Sequence, residues 1–259
     1  IGGKGAERGS GEKKWRMPTK IDHFIITGLS RNDAGDLVQD ESLMESLAKY
    51  ADDDGKLRRL PVIVLSNDVR EVVMAAMVWR AGRQVGARSD GVTVTWLADP
   101  HTMSFLPEPR EESWQPAFAE LRDAKGVKMF KLNIIVNAMI VSEHASFGGV
   151  YRFRSTSQIS ASQIVGSLLN IQQATGGVLR GLPLQMRVRP MLVEPGGKPT
   201  KIYVVHFEAV GADLMELQQR ALQLAEFEAR HATQMRAAQL AYRRMLSAPG
   251  ENESAAESA

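Results

Sequence analysis

The sequence predicts an α+β domain: a largely antiparallel sheet with packed helices and a long C-terminal heptad-patterned helix. Three observations lead there. Short β-branched runs recur between turn signals, at LPVIVLS (60–66), GVTVTWL (91–97) and MFKLNIIVNAMIVS (129–142). LPLQMRVRPML (182–192) and KIYVVHFEAV (201–210) flank the turn EPGGKPT as an antiparallel pair. From about Ala212 to Leu246 the chain is rich in Ala, Leu, Gln, Glu and Arg, with no Gly or Pro. No G-x-G-x-x-G or Walker motif opens a helix, which rules out Rossmann and P-loop folds.

In chain order, residues 1–18 are Gly-, Lys- and Ser-rich and read as a flexible basic arm. A core domain follows over 19–210. IDHFIIT (21–27) reads as its first strand, and ESLMESLAKY, with Leu43, Met44 and Leu47 at helical spacing, as a helix ended by Asp52-Asp53-Asp54-Gly55. EVVMAAMVWR (71–80) fits either strand or helix. In 91–97, Val92, Val94 and Trp96 alternate with Thr93 and Thr95, the pattern of a half-buried strand. Between Asp99 and Pro116 four prolines and little periodicity predict a loop.

VYRFRST is a strand with Arg152 and Arg154 on one face and Tyr151 and Phe153, read as core, on the other. Ile164, Leu168 and Ile171 then mark a helical stripe, stopped by Gly176-Gly177. In 182–192, Leu184, Met186 and Val188 face one way and Gln185, Arg187 and Arg189 the other. The third segment, 211–247, is a helix in which Leu214, Leu217, Ala221, Leu224, Glu228, His231, Met235, Ala238, Tyr242 and Met245 keep 3–4 spacing. Two placements stand for it: projecting toward a partner or a second copy of the chain, or packing along its own sheet. Residues 248–259 read as a disordered acidic tail.

The 259 residues, 44% hydrophobic and 24% charged, have ample length for a packed core. With no cysteine, disulfides, thiolate catalysis and Cys-based metal sites are excluded. No apolar stretch approaches the ~18 residues of a membrane span, and a soluble cytoplasmic protein is expected.

The net charge of +2 conceals segregation. Residues 150–205 carry seven Lys or Arg against Glu194 alone, and residues 1–20 carry six against Glu7 and Glu12. Such clustering makes either a polyanion footprint or a solvated basic face. The candidate nucleic-acid or polyanion residues are Lys13, Lys14, Trp15, Arg16, Arg152, Arg154, Arg187 and Arg189. Trp15 is either a stacking platform or an anchor for the arm. Five scattered histidines make no metal-ligand spacing, Asp99-Pro100-His101 is a weak ligand pair, and the serines at 155–162 read as caps. No catalytic residue, metal site or cofactor is assigned.

Taken together, KWRMPTKIDHFIIT (14–27), LPVIVL (60–65), RSDG (88–91), VYRFRSTSQISASQIVGSLL (150–169), TGGVLRGLPL (175–184) and IYVVHFE (202–208) resemble the phage and prophage gp-three-like family. That family includes recombination directionality factors of large serine integrases, and its members are often labelled only as metal-binding or hydrolase-like. The resemblance implies a non-enzymatic regulator that binds a large serine integrase and promotes excision. Family members commonly place a cysteine near Ala87–Gly91 and more in the following loop. Here Ser89 stands there and 99–128 has none, so the domain is expected to fold without that metal.

Two functions follow. One is an integrase adaptor working through a sheet edge and the C-terminal helix, with Leu214, Leu217, Leu224, His231, Met235 and Tyr242 as partner-facing residues. The other is a nucleic-acid-binding recombination or replication accessory using the arginine face, with DNA as its partner.

Overall fold

The computed structural model of the chain describes residues 5–8, 15–18, 21–33, 37–82, 84–123, 126–145, 149–211 and 213–247, and of 5–8, 15–18, 195 and 233–247 the backbone alone. Two hairpins come first, β1 (Gly5–Arg8) with β2 (Trp15–Pro18), and β3 (Thr27–Arg31) with β4 (Leu37–Gln39). Helix α1 (Glu41–Ser46) starts where Asp40 Oδ1 accepts the Leu43 N–H at 3.0 Å.

The remaining strands are β5 (Arg59–Ile63), β6 (Val73–Ala81), β7 (Gln84–Ser89), β8 (Thr93–Ala98), β9 (Phe105–Ser113), β10 (Lys131–Ile140), β11 (Tyr151–Ser155), β12 (Leu184–Val193) and β13 (Thr200–Ala209). They form one nine-stranded sheet, in the order β13-β12-β5-β10-β6-β7-β8-β9, with β11 also on β10. All their ladders are antiparallel.

Strand β10 is the junction. Lys131–Val136 pair with β6, Ile134–Ala138 with β11, and Met139 and Ile140 with β5. Its alternation decides what goes inside. Ile134, Val136, Ala138 and Ile140 are buried with Val62, Leu184, Met186 and Phe207, while Lys131, Asn133, Ile135 and Asn137 point to the opposite face.

A one-turn helix, α2 (Val69–Val72), links β5 to β6, and α3 (Gln158–Ala174) follows β11. Ser157 caps α3, and Ile164, Leu168 and Ile171 join the core, as the sequence spacing predicts. The helix also guards the open edge of the sheet, since Ser167 Oγ accepts the Phe207 N–H of β13 at 2.9 Å. Its stop is the glycine pair: the Gly177 N–H reaches the Gln172 carbonyl at 2.7 Å, with Gly176 at φ 67°.

The α+β expectation is overturned. Among the described residues the fold is mostly antiparallel β, with 41% strand, 28% helix and four helices. Nor is a heptad-patterned C-terminal helix seen. Helix α4 is assigned over Leu214–Ser247, and 19 of its residues, to Ala232, carry described side chains. Over these, Leu217 and Ala221 are buried in the chain's own core, Leu224 lies against Gly181, and Glu228 pairs with Arg180 at 2.6 Å. Burial takes the residues that a seam would need, and Leu214 is left 57% exposed.

Three local readings also change. Ile21–Ile26 lies in no strand and bends at Asp22 and His23. Single bonds from the Phe24 N–H to the Leu57 carbonyl and from the Asp40 N–H to the Ile26 carbonyl hold it, with Phe24 and Ile26 buried. The predicted loop after Asp99 contains β9, because Pro107 and Pro109 are tolerated on the last strand of the sheet, which has only β8 beside it. The ambiguous 71–80 segment is the end of α2 running directly into β6.

The acidic turn is an ion-pair cluster around Arg58. Its guanidinium donates to Asp22 at 2.9 Å, Asp52 at 3.0 Å and Asp54 at 2.8 Å, and Lys56 reaches Asp22 at 2.8 Å. Hydrogen bonds from Lys56, His23 and Arg58 hold the Asp22 carboxyl well below the usual carboxylate range. A depressed carboxylate contributes stability that is full above its unfolded pKa and is lost as pH falls through its folded value. We expect Arg58→Met to lower stability by about 2 kcal/mol at neutral pH. Below pH ~4 the difference from wild type shrinks, as thermal melts across an acid series will show.

Candidate functional site

On the face of the sheet opposite the core, β6 and β10 floor a cleft of about 920 Å³. Lys131 lies opposite Val78 in the ladder, and Arg154 of β11 lies opposite Ile135. One wall is the turn after β8, containing Pro100, His101 and Met103. There Asp99 Oδ1 accepts the N–H groups of His101 at 2.7 Å and Thr102 at 3.0 Å. These two bonds hold the Asp99 carboxyl below its ordinary value. The other wall is Arg122, Asp123, Val127, Lys128 and Met129, where the Arg122 guanidinium donates to the Gly126 carbonyl at 2.8 Å.

Among the described residues, five cations, Arg80, Arg122, Lys128, Lys131 and Arg154, line this cleft against one carboxylate, Asp123. Lys128 is also tied to Glu120 at 2.8 Å. Lys131 and Arg154 are exposed and make no ion pair among the described residues. An arrangement of this sign, recessed beside apolar Val78, Ile135 and Met129, attracts anions and strengthens their contacts relative to an open surface.

The structure separates the predicted arginine face into two parts. Register puts Arg152 opposite Asn137 and Arg154 opposite Ile135, so both share the face of Lys131, while Tyr151 and Phe153 pack toward the core as expected. Alternation carries the same face through Met139↔Ile63 and Arg59↔Arg187 to β12. There the arginines are engaged. Arg187 pairs with Glu208 at 3.1 Å, and Arg189 donates to Gln163 of α3 at 2.9 Å.

Glu208 also meets buried His206 at 2.7 Å. Burial raises the Glu208 carboxyl, but the hydrogen bonds from His206 and Arg187 outweigh it and hold the group below its ordinary value. Of the predicted polyanion residues whose side chains are described, only Arg154 lines the cleft.

Lys13 and Lys14 lie outside the described residues, as do the side chains of Trp15 and Arg16 in β2 and of Met235 and Tyr242 in α4. Of the other predicted partner residues, Leu214 is exposed, Leu217 buried, Leu224 half-buried, and His231 lies 4.5 Å from the Phe227 ring. Leu214, Met215, Leu222 and Phe227 leave apolar surface on the solvent side of α4.

Sequence reasoning missed Arg80, Arg122, Lys128 and Lys131. The signal for Lys131 was available in KLNIIVNA, where Lys131, Asn133 and Asn137 share one strand face. Arg122 and Lys128 meet Lys131 only through the turn that folds back on β10.

The chain matches the family model described as Gp3-like, recombination directionality factor-like, over residues 3–209. No curated protein and no solved structure matches it.

Proposed function

The chain belongs to the Gp3-like family of recombination directionality factor-like proteins, and from that membership we propose that it is a non-enzymatic regulator that binds a large serine integrase and promotes excision. The extent of the family match is the observation behind this reading. It covers β1 through β13 and ends with the sheet at 209. We assign the partner contact to the outward side of α4, where Met215 is 71% exposed and Leu222 61%. No described helix is long and apolar enough to cross a membrane.

Removing α4 would also uncover the core around Leu217 and Ala221, so substitution is the better probe. The test pairs the purified chain with the integrase encoded beside it, reading complex formation and recombination of an excision substrate. Wild type binds and drives excision. Met215→Glu with Leu222→Glu reduces both at least about tenfold while the melting temperature holds. A wild-type chain that neither binds the integrase nor changes its products overturns the reading. Unchanged binding by the double variant moves the contact off α4.

A second reading, a nucleic-acid-binding accessory, draws on Arg152 and Arg154, since Arg187 and Arg189 already have partners.

A further inference from the structure

We propose that the cleft beside Arg154 binds a short single-stranded stretch of nucleic acid, with phosphates on its cationic rim and bases against its apolar floor. This deepens the nucleic-acid reading and stands apart from integrase binding. Three observations lead to this ligand.

The first is charge. Lys131 and Arg154 are exposed lining cations with no ion pair among the described residues. Lys131 and the Ile135–Arg154 pair are four strand positions apart, about 13 Å at the rise of a β-strand, which suits a chain of phosphates better than one anion. Arg122, its guanidinium fixed on the Gly126 carbonyl, adds a third cation that is already oriented.

The second is the floor. Val78, Ile135 and Met129 give base faces an apolar surface.

The third is shape. Proteins read duplex DNA by inserting a helix or ribbon into a groove about 12 Å wide, whereas this site is itself a recess, on the scale of a pocket for a few nucleotides.

The test uses the full chain with no integrase present, so its failure leaves the integrase reading standing. Fluorescence anisotropy is measured with a labelled thymidine oligomer of about twelve nucleotides, the matching duplex and a Glu-rich peptide. The oligomer is expected to bind tightest, and to weaken about 20-fold between ~50 and ~200 mM salt, as three neutralised single-strand phosphates predict. Lys131→Glu with Arg154→Glu should weaken it at least about tenfold without lowering the melting temperature. Lys198→Glu with Lys201→Glu, two exposed cations on the β12–β13 turn and β13, should change it less than about twofold. Equal losses in the two variants overturn the site. So does a duplex or peptide that binds as tightly as the single strand, or no binding at low salt.

Discussion

Replacing Trp96 by alanine is expected to lower the stability of the fold by about 4 kcal/mol, the largest single effect in the molecule. Trp96 is 1% exposed at the centre of a second core, apart from the one under α3. Its ring meets Trp79, Phe118 and Phe130 edge-on with centroids 6.1, 5.7 and 5.6 Å away, and its indole N–H donates to Glu112. Alanine leaves a cavity that three rigid rings cannot close.

For a chain of this length that corresponds to about 12 °C in melting temperature. The functional consequence is local. Trp96 sits two residues before Ala98, where β8 leads into the Asp99 turn that forms a wall of the cleft, so oligonucleotide binding should fall with it. Trp96→Phe keeps most of the ring contacts and should recover more than half the loss. A Trp96→Ala melting curve within 1 kcal/mol of wild type would show that this second core contributes little.

The second large effect is expected at Gly86. A methyl group there would lie 2.7 Å from two carbons of the Trp79 ring and 3.1 Å from the Ala81 side chain. Trp79 is 3% exposed and has nowhere to move, so Gly86→Ala should destabilise by about 3 kcal/mol through overpacking. The position permits a direct check. In the Trp79→Leu background the same substitution should cost at least about 1 kcal/mol less, a coupling that a double-mutant cycle measures. Additive effects would mean that the ring does not set the constraint.

Legibility in the sequence followed the range of the interaction. Strand alternation is local, and the β12–β13 hairpin, the strand at β10 and the core placement of Tyr151 and Phe153 were all read correctly from it. The α3 stripe and its Ser157 cap were equally local. Composition misled at β9, where two prolines outweighed the pairing that β8 supplies from across a turn. Helical spacing misled at α4, because the same Leu217-Ala221-Leu224 stripe serves a partner helix or the chain's own core. The family resemblance survived these errors, since it rests on motif order, and the match over 3–209 bears it out.

By itself, then, the sequence determined which faces of its strands are apolar, where its strongest hairpin turns, that no thiol chemistry is available and to which family the chain belongs. Tertiary structure alone decided that the strands make one open sheet around β10, that α4 spends its apolar stripe on the core, and that Arg187 and Arg189 are engaged. It also decided that Lys131, Arg122 and Arg154, far apart in the chain, line one cleft. The physical reason is the period of the backbone. It fixes which side of an element a residue faces, while what stands on that side is set by packing between segments tens of residues apart, which no local spacing encodes.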